Sequence, residues 1–216
     1  MMQFMPVYGK HYGPGYSGFS YYDGTIISPG ISWLESVEEA QMFLFKLIEG
    51  YSPKFSDTYL GRPASHSFKV VDETTLIESS GHGVEYSHDL QDRIADPRLR
   101  LIFRKPQRLN PIAVEQMLKY AAEMEKEEQP YDYTGLVGAG LKIISPFNKI
   151  IPALNLLPNP LSFGGKYCTA FDADCSKHTD EYKNERIFRL NHVTRITPVV
   201  YWHNFPWKPL HYDRGY

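Results

Sequence analysis

The sequence predicts one α+β domain, on three observations. Two short runs rich in Val, Phe, Thr and Ile, Ser65 to Val71 and Thr74 to Ser79, are parted by Asp72-Glu73, which is a β-hairpin signal. From Leu99 to Arg104, Leu99, Leu101 and Phe103 alternate with Arg100, Ile102 and Arg104, the pattern of a half-buried strand. Helices are marked by their starts. Asn110 is placed as an N-cap with Pro111 at the first helical position, and Ile112, Val114, Met117, Leu118 and Ala121 form an apolar side behind it.

The remaining elements follow in chain order. The Gly- and Tyr-rich opening, about residues 1–22, reads as an irregular arm followed by a short strand at Thr25 to Ser28. Ser36 with Glu39 makes a capping box, and Val37, Ala40, Phe43 and Leu47 recur at helical spacing until Gly50. The helix after Pro111 ends in Glu123, Glu125, Lys126, Glu127 and Glu128, which reads as a solvated helix end. An apolar insertion, about residues 135–165, is broken by Pro146, Pro152, Pro158 and Pro160 and carries Lys142 and Lys149, so it is no membrane span. Cys168 to about His178 reads as a helix, and Arg186 to Leu190 and Val199 to His203 as closing strands. The C-terminal extension, about residues 199–216, is aromatic: Tyr201, Trp202, Phe205, Trp207, Tyr212 and Tyr216 either cover the core or form an interface for a partner protein.

Composition narrows the function classes. With 216 residues and 42% apolar content, the chain is long enough for one well-buried core and short for two domains. A net charge of -2 gives no general attraction to nucleic acid or anionic lipid. The two cysteines, Cys168 and Cys175, lie two turns apart in one predicted helix, about 10 Å of rise, and a disulfide needs Cα atoms within about 7 Å. Two free thiols and an N-terminus without a basic start and apolar h-region predict a cytoplasmic location, with export or virion association as the alternative.

The hairpin places two functional groups together by geometry alone. With an odd-numbered loop such as Val71-Asp72-Glu73, residues whose numbers sum to 144 face each other, and His66 lies opposite Glu78. An imidazole-to-carboxylate bond there fixes the tautomer and leaves the other ring nitrogen free to take a proton. Cys168 follows Gly164-Gly165-Lys166-Tyr167 and opens a helix, whose dipole and free N–H groups stabilise a thiolate and hold an oxyanion. Cys175, without that setting, belongs to the core. Tyr167 and Tyr22 are candidates for a further oxyanion or substrate donor, against packing roles for both. His66, His82 and His88 fit no common zinc pattern, so no metal and no cofactor is expected.

These residues carry a family resemblance. Ser65-His66-Ser67-Phe68-Lys69-Val70-Val71, then Leu76-Ile77-Glu78-Ser79-Ser80 and Gly83-Val84, resemble the histidine and glutamate stretches of the YiiX/YaeF-like permuted NlpC-type amidases. Pro130-Tyr131-Asp132-Tyr133 is similar to the family's element after the central helix, and Lys166-Tyr167-Cys168-Thr169-Ala170-Phe171 to its nucleophile block. The order His, Glu, Cys is that of permuted members; ordinary papain-like enzymes have Cys first. Thr169, Ala170 and Phe171 depart from the family's pattern, as do Ser67 and Phe68.

The resemblance, which covers roughly Asp23 to Asp174, implies a circularly permuted papain-like fold, an antiparallel sheet or half-barrel packed against helices, and residues 1–216 are expected to form one such domain. It further implies Cys168 as nucleophile, His66 as base and Glu78 as the third polar residue of a cysteine amidase or peptidase. The substrate class would be a peptide or acyl-amide, peptidoglycan-derived in many relatives. The alternatives are a lipid acyltransferase or thioesterase of the same fold, with the apolar insertion as acyl site, and a non-catalytic assembly module.

Overall fold

A computed structural model describes residues 12–22, 66–96, 99–135, 157–159, 161–162 and 164–209. The predicted strand at Thr25 to Ser28, the helix after Ser36, most of the apolar insertion, and Tyr212 and Tyr216 lie outside them.

The described chain is α+β. Five antiparallel strands form one sheet in the order β4-β3-β2-β1-β5. They are β1 (Ser17–Tyr22), β2 (His66–Val70), β3 (Leu76–Ser80), β4 (Gly83–Ser87) and β5 (Leu99–Arg104). Five helices accompany them: α1 (Leu90–Ala95), α2 (Pro111–Lys126), α3 (Cys168–Lys177), α4 (Arg186–Leu190) and α5 (Pro198–Asn204). Among the described residues no helix is long and apolar enough to cross a membrane.

Strand alternation gives the sheet two different faces. On one, Phe68, Val70, Leu76 and Phe103 pack with Leu90 of α1, joined by Tyr12 and Tyr16. On the other, Ile77 packs with Ala121 of α2 and with Phe171 and Cys175 of α3, while Phe19 and Ile102 join Met117, Ala173, Tyr201, Trp202, Phe205 and Trp207. The helix after Pro111 starts as its sequence predicts, with the Asn110 side chain accepting from the Ala113 N–H at 2.9 Å, a cap worth about 1 kcal/mol.

Several expectations are corrected. The N-terminal segment is not an irregular arm throughout: Ser17–Tyr22 is a strand in the middle of the sheet, paired to β2 on one side and β5 on the other. Gly18 permits it, because the Phe68 ring lies where a side chain at position 18 would stand; an added Cβ would be 2.1 Å from Phe68 Cζ. Arg186–Leu190 and Pro198–Asn204 are helices, not closing strands. Thr197 caps α5 and Pro198 occupies its first turn, and these start signals prevail over the strand propensity of Val, Tyr and Trp. The aromatic run on α5 and beyond is core: Tyr201, Trp202, Phe205 and Trp207 are all buried.

Candidate active site

The β2–β3 loop is odd-numbered, as the pairing of His66 with Glu78 on one face requires, but longer by two residues. Val70 pairs with Leu76 and Lys69 with Ile77, so the numbers of facing residues sum to 146 and not 144. The five-residue loop is closed by Asp72, whose carboxylate accepts from the N–H groups of Thr74 and Thr75, both at 2.8 Å. His66 and Glu78 are therefore diagonal neighbours and not directly opposite, a distance that long side chains span. Their side chains meet, with His66 Nε2 2.5 Å from Glu78 Oε2. An ionised carboxylate only accepts, so Nε2 carries the proton and Nδ1 is left for exchange.

Beyond Lys69 and Ile77 the two strands bond to the segment that leads into α3. Ser79 Oγ donates to the Lys166 carbonyl at 2.5 Å, and Ser67 Oγ to Thr169 Oγ1 at 3.2 Å. The Cys168 sulfur lies 3.8 Å from Thr169 Oγ1. His66, first in β2, projects from the α1 face, and Cys168 opens α3, which packs on the opposite one. Against their burial, each favours the other's charged form: Cys168 raises the imidazole and His66 lowers the thiol.

The approach to Cys168 depends on its two glycines. Gly164 has φ +89°, a left-handed conformation that side chains resist. A Cβ on Gly165 would stand 2.6 Å from the Pro130 carbonyl oxygen, which accepts from the Lys166 N–H at 3.0 Å. Tyr167 provides the N-cap without a side-chain capping bond, so the first N–H groups of α3 have no intrahelical partner.

The electrostatics follow from these contacts. Burial alone raises the Cys168 thiol, but the charge and hydrogen bond of His66, the Ser67 N–H and the Thr169 hydroxyl outweigh it and the thiol is lowered. Burial pulls the His66 imidazole down, whereas Cys168 and Glu78 push it up, and the imidazole is raised. Together these shifts favour thiolate and imidazolium over the neutral pair. Glu78, against its burial, is lowered to about 2 by His66 and by Arg93.

Arg93, on α1, and Asp89, which precedes that helix, are site neighbours not singled out in the sequence. Arg93 Nη1 donates to Glu78 Oε2 at 2.9 Å and Nη2 to Oε1, while Nε donates to both oxygens of Asp89 at 3.0 Å. The i,i+4 spacing of Asp89 and Arg93 is a helix signal; their reach to Glu78 is visible only once α1 lies across the sheet.

The other predicted residues fall elsewhere. Tyr167 is buried and its hydroxyl donates to the Ile196 carbonyl at 3.1 Å, so its proton is committed to packing. Tyr22 belongs to β1 and pairs with Leu99; its side chain is outside the described residues. Cys175 is buried two turns into α3, and burial pushes its thiol far up. His88 Nδ1 lies 3.1 Å from Thr75 Oγ1, and among the described residues no group of three or more His, Cys, Asp or Glu could hold a metal ion.

Compared with family models, curated proteins and solved structures, the chain matches none of them.

Proposed function

We propose that this chain is a cysteine hydrolase of the permuted papain-like (NlpC-type) kind, cleaving an amide bond through a thioester intermediate. The observation that carries the reading is the 2.5 Å contact of His66 Nε2 with Glu78 Oε2, together with the shifts that Cys168 and His66 impose on each other against burial, the thiol lowered and the imidazole raised. Thiol acyl transfer calls for a nucleophile, a base and a group that orients the base, and Cys168 opens a helix whose first N–H groups are suited to stabilise negative charge, which supports the reading.

The Cys168 thiolate adds to the amide carbonyl, and the oxyanion is held by the Cys168 backbone N–H and one further donor. Collapse breaks the C–N bond, and the imidazolium proton of His66 leaves with the amine. Neutral His66 then takes a proton from water, whose oxygen attacks the thioester; the carboxylic acid departs and the thiolate–imidazolium pair is restored. Glu78 keeps Nε2 protonated throughout, so Nδ1 exchanges the proton. The substrate class the family resemblance suggests is cell-wall peptide, and the location a reducing, cytoplasmic one.

The test is hydrolysis of a panel of peptide amides with mass spectrometry of the protein. A transient acyl adduct on Cys168, absent in Cys168→Ala, is expected. No adduct and no turnover with any amide, together with equal slow alkylation of Cys168 and Cys175, would defeat the reading.

A further inference from the structure

Glu78 is gripped from two sides. His66 Nε2 and Arg93 Nη1 both bond to the same oxygen, Oε2, at 2.5 and 2.9 Å, and Arg93 Nη2 takes Oε1. One hydrogen bond to one oxygen leaves a carboxylate free to rotate about its last torsion, which for glutamate is broad. A planar two-pronged grip on both oxygens removes that freedom. Arg93 is itself fixed, by the two Asp89 oxygens at its Nε and by the Phe68 ring, whose centroid is 5.8 Å from the guanidinium carbon. From Cys168 outward, charge alternates in sign through His66, Glu78 and Arg93 to Asp89.

We propose that Arg93 is a positioning residue of the Cys168 site: it holds the Glu78 carboxylate in the plane from which Oε2 orients His66. The inference rests on the reading of Cys168 and His66 as nucleophile and base. A purely architectural Arg93 would staple α1 to β3 and affect stability alone; the shared Oε2 ties it to the ring. The other carboxylate beside Glu78 is Glu85, its cross-strand partner in β4, and that side chain is engaged by Ser80. Arg93 therefore faces two carboxylates it bonds, and Glu78 faces one it does not.

The experiment compares wild type with Arg93→Lys, which keeps the charge without the fork, and Arg93→Gln, which keeps neither. Urea midpoints verify folding. Two readouts are followed: the rate of Cys168 alkylation by iodoacetamide from pH 5 to 9, and the imidazole NMR signals of His66. Arg93→Gln is expected to slow alkylation roughly ten- to a hundredfold and to replace the single Nε2–H tautomer by a mixture. Arg93→Lys is expected to fall between, with the pH limits of the profile kept.

A folded Arg93→Gln with wild-type rates, profile and His66 signals overturns the proposal. If that variant does not fold, the same result in Arg93→Lys overturns it. Should wild-type Cys168 react no faster than Cys175, the hydrolase reading fails and this inference with it; a wild-type advantage that survives both substitutions removes the role of Arg93 alone.

Discussion

His66 Nε2 lies 2.5 Å from Glu78 Oε2, although the register of their strands sets them diagonally and not face to face. The diagonal matters because it leaves Glu78 within reach of α1, which crosses the same face. One imidazole N–H leaves most of the acceptor sites of a carboxylate open. Here the carboxylate has a second side to offer, and Arg93 takes it.

The two cysteines should react very differently. Cys168 is lowered by His66, whereas Cys175 is pushed far up by burial with no cation bonded to it. Iodoacetamide should label Cys168 at least tenfold faster near pH 6, where an ordinary thiol of pKa about 8.5 is almost wholly protonated. His66→Ala should abolish the difference. Peptide mapping after timed alkylation reads both sites in one sample.

Alkylation of Cys168 should form a plateau in pH. Its acid edge is the depressed thiol and its alkaline edge the raised imidazole. Glu78→Gln removes the carboxylate that raises His66, so the alkaline edge should move to lower pH by about 1 to 2 units, the range of a charge-assisted hydrogen bond. An unchanged alkaline edge in a folded variant would mean that Glu78 does not tune the ring.

Glu78 should also shape acid stability. Its folded-state pKa is depressed to about 2, so its stabilisation is complete above the unfolded value of about 4.3 and is lost as pH falls through the folded value. The contribution is of order 1 to 3 kcal/mol. His66 acts with the opposite sign: being raised, it stabilises fully below about 6.5 and loses its effect as pH rises through its folded value. Urea titrations of wild type and Glu78→Gln should differ most near pH 7, keep part of that difference at pH 3, and converge only as pH falls through about 2.

At α3, Asp172 forms a fully buried ion pair with Lys69 of β2, with Nζ 2.6 Å from Oδ1. Ser17 donates to the same oxygen at 2.9 Å, and Lys69 donates to Ser17 and Ser176 at 2.8 and 3.2 Å. Lys69→Met strands a carboxyl that burial already raises, and should cost about 3 to 5 kcal/mol. Pairing it with Asp172→Leu should recover much of that, which a double-mutant cycle in urea would measure.

Gly18→Ala should destabilise by about 1 to 3 kcal/mol, the range for overpacking. The added Cβ collides with the Phe68 ring, and that ring also carries the Arg93 guanidinium. Loss of stability should therefore come with slower Cys168 alkylation. A Gly18→Ala protein as stable as wild type would show that Phe68 has room to move.

What was legible in the sequence, and what was not, divides by the range of the forces involved. Local signals held: Asn110 with Pro111 opens α2, and Cys168 opens α3 after two glycines with identifiable jobs. The shared face of His66 and Glu78 follows from the parity of the loop, whereas the register itself depended on Asp72 closing five residues instead of three. Long-range pairing was hidden. In Ser17–Tyr22 the strand formers Phe19, Tyr21 and Tyr22 are interleaved with Ser and Gly that read as loop, and the segment is a strand because two neighbours bond to it. Arg93 was invisible for the same reason, since its relation to Glu78 exists only after α1 docks. The helices at Arg186–Leu190 and Pro198–Asn204 were misread because β-branched and aromatic residues there serve burial, not pairing.

The central position of β1 also governs how the chain can assemble. Its partners are β2 and β5, so an N-terminal stretch must wait for segments made much later before either of its edges is satisfied. Until then the sheet has a gap one strand wide, with amide and carbonyl rows on both banks. A version of the protein lacking residues 12–22 would keep that gap open, and the same eleven residues supplied as a separate peptide would be its natural complement.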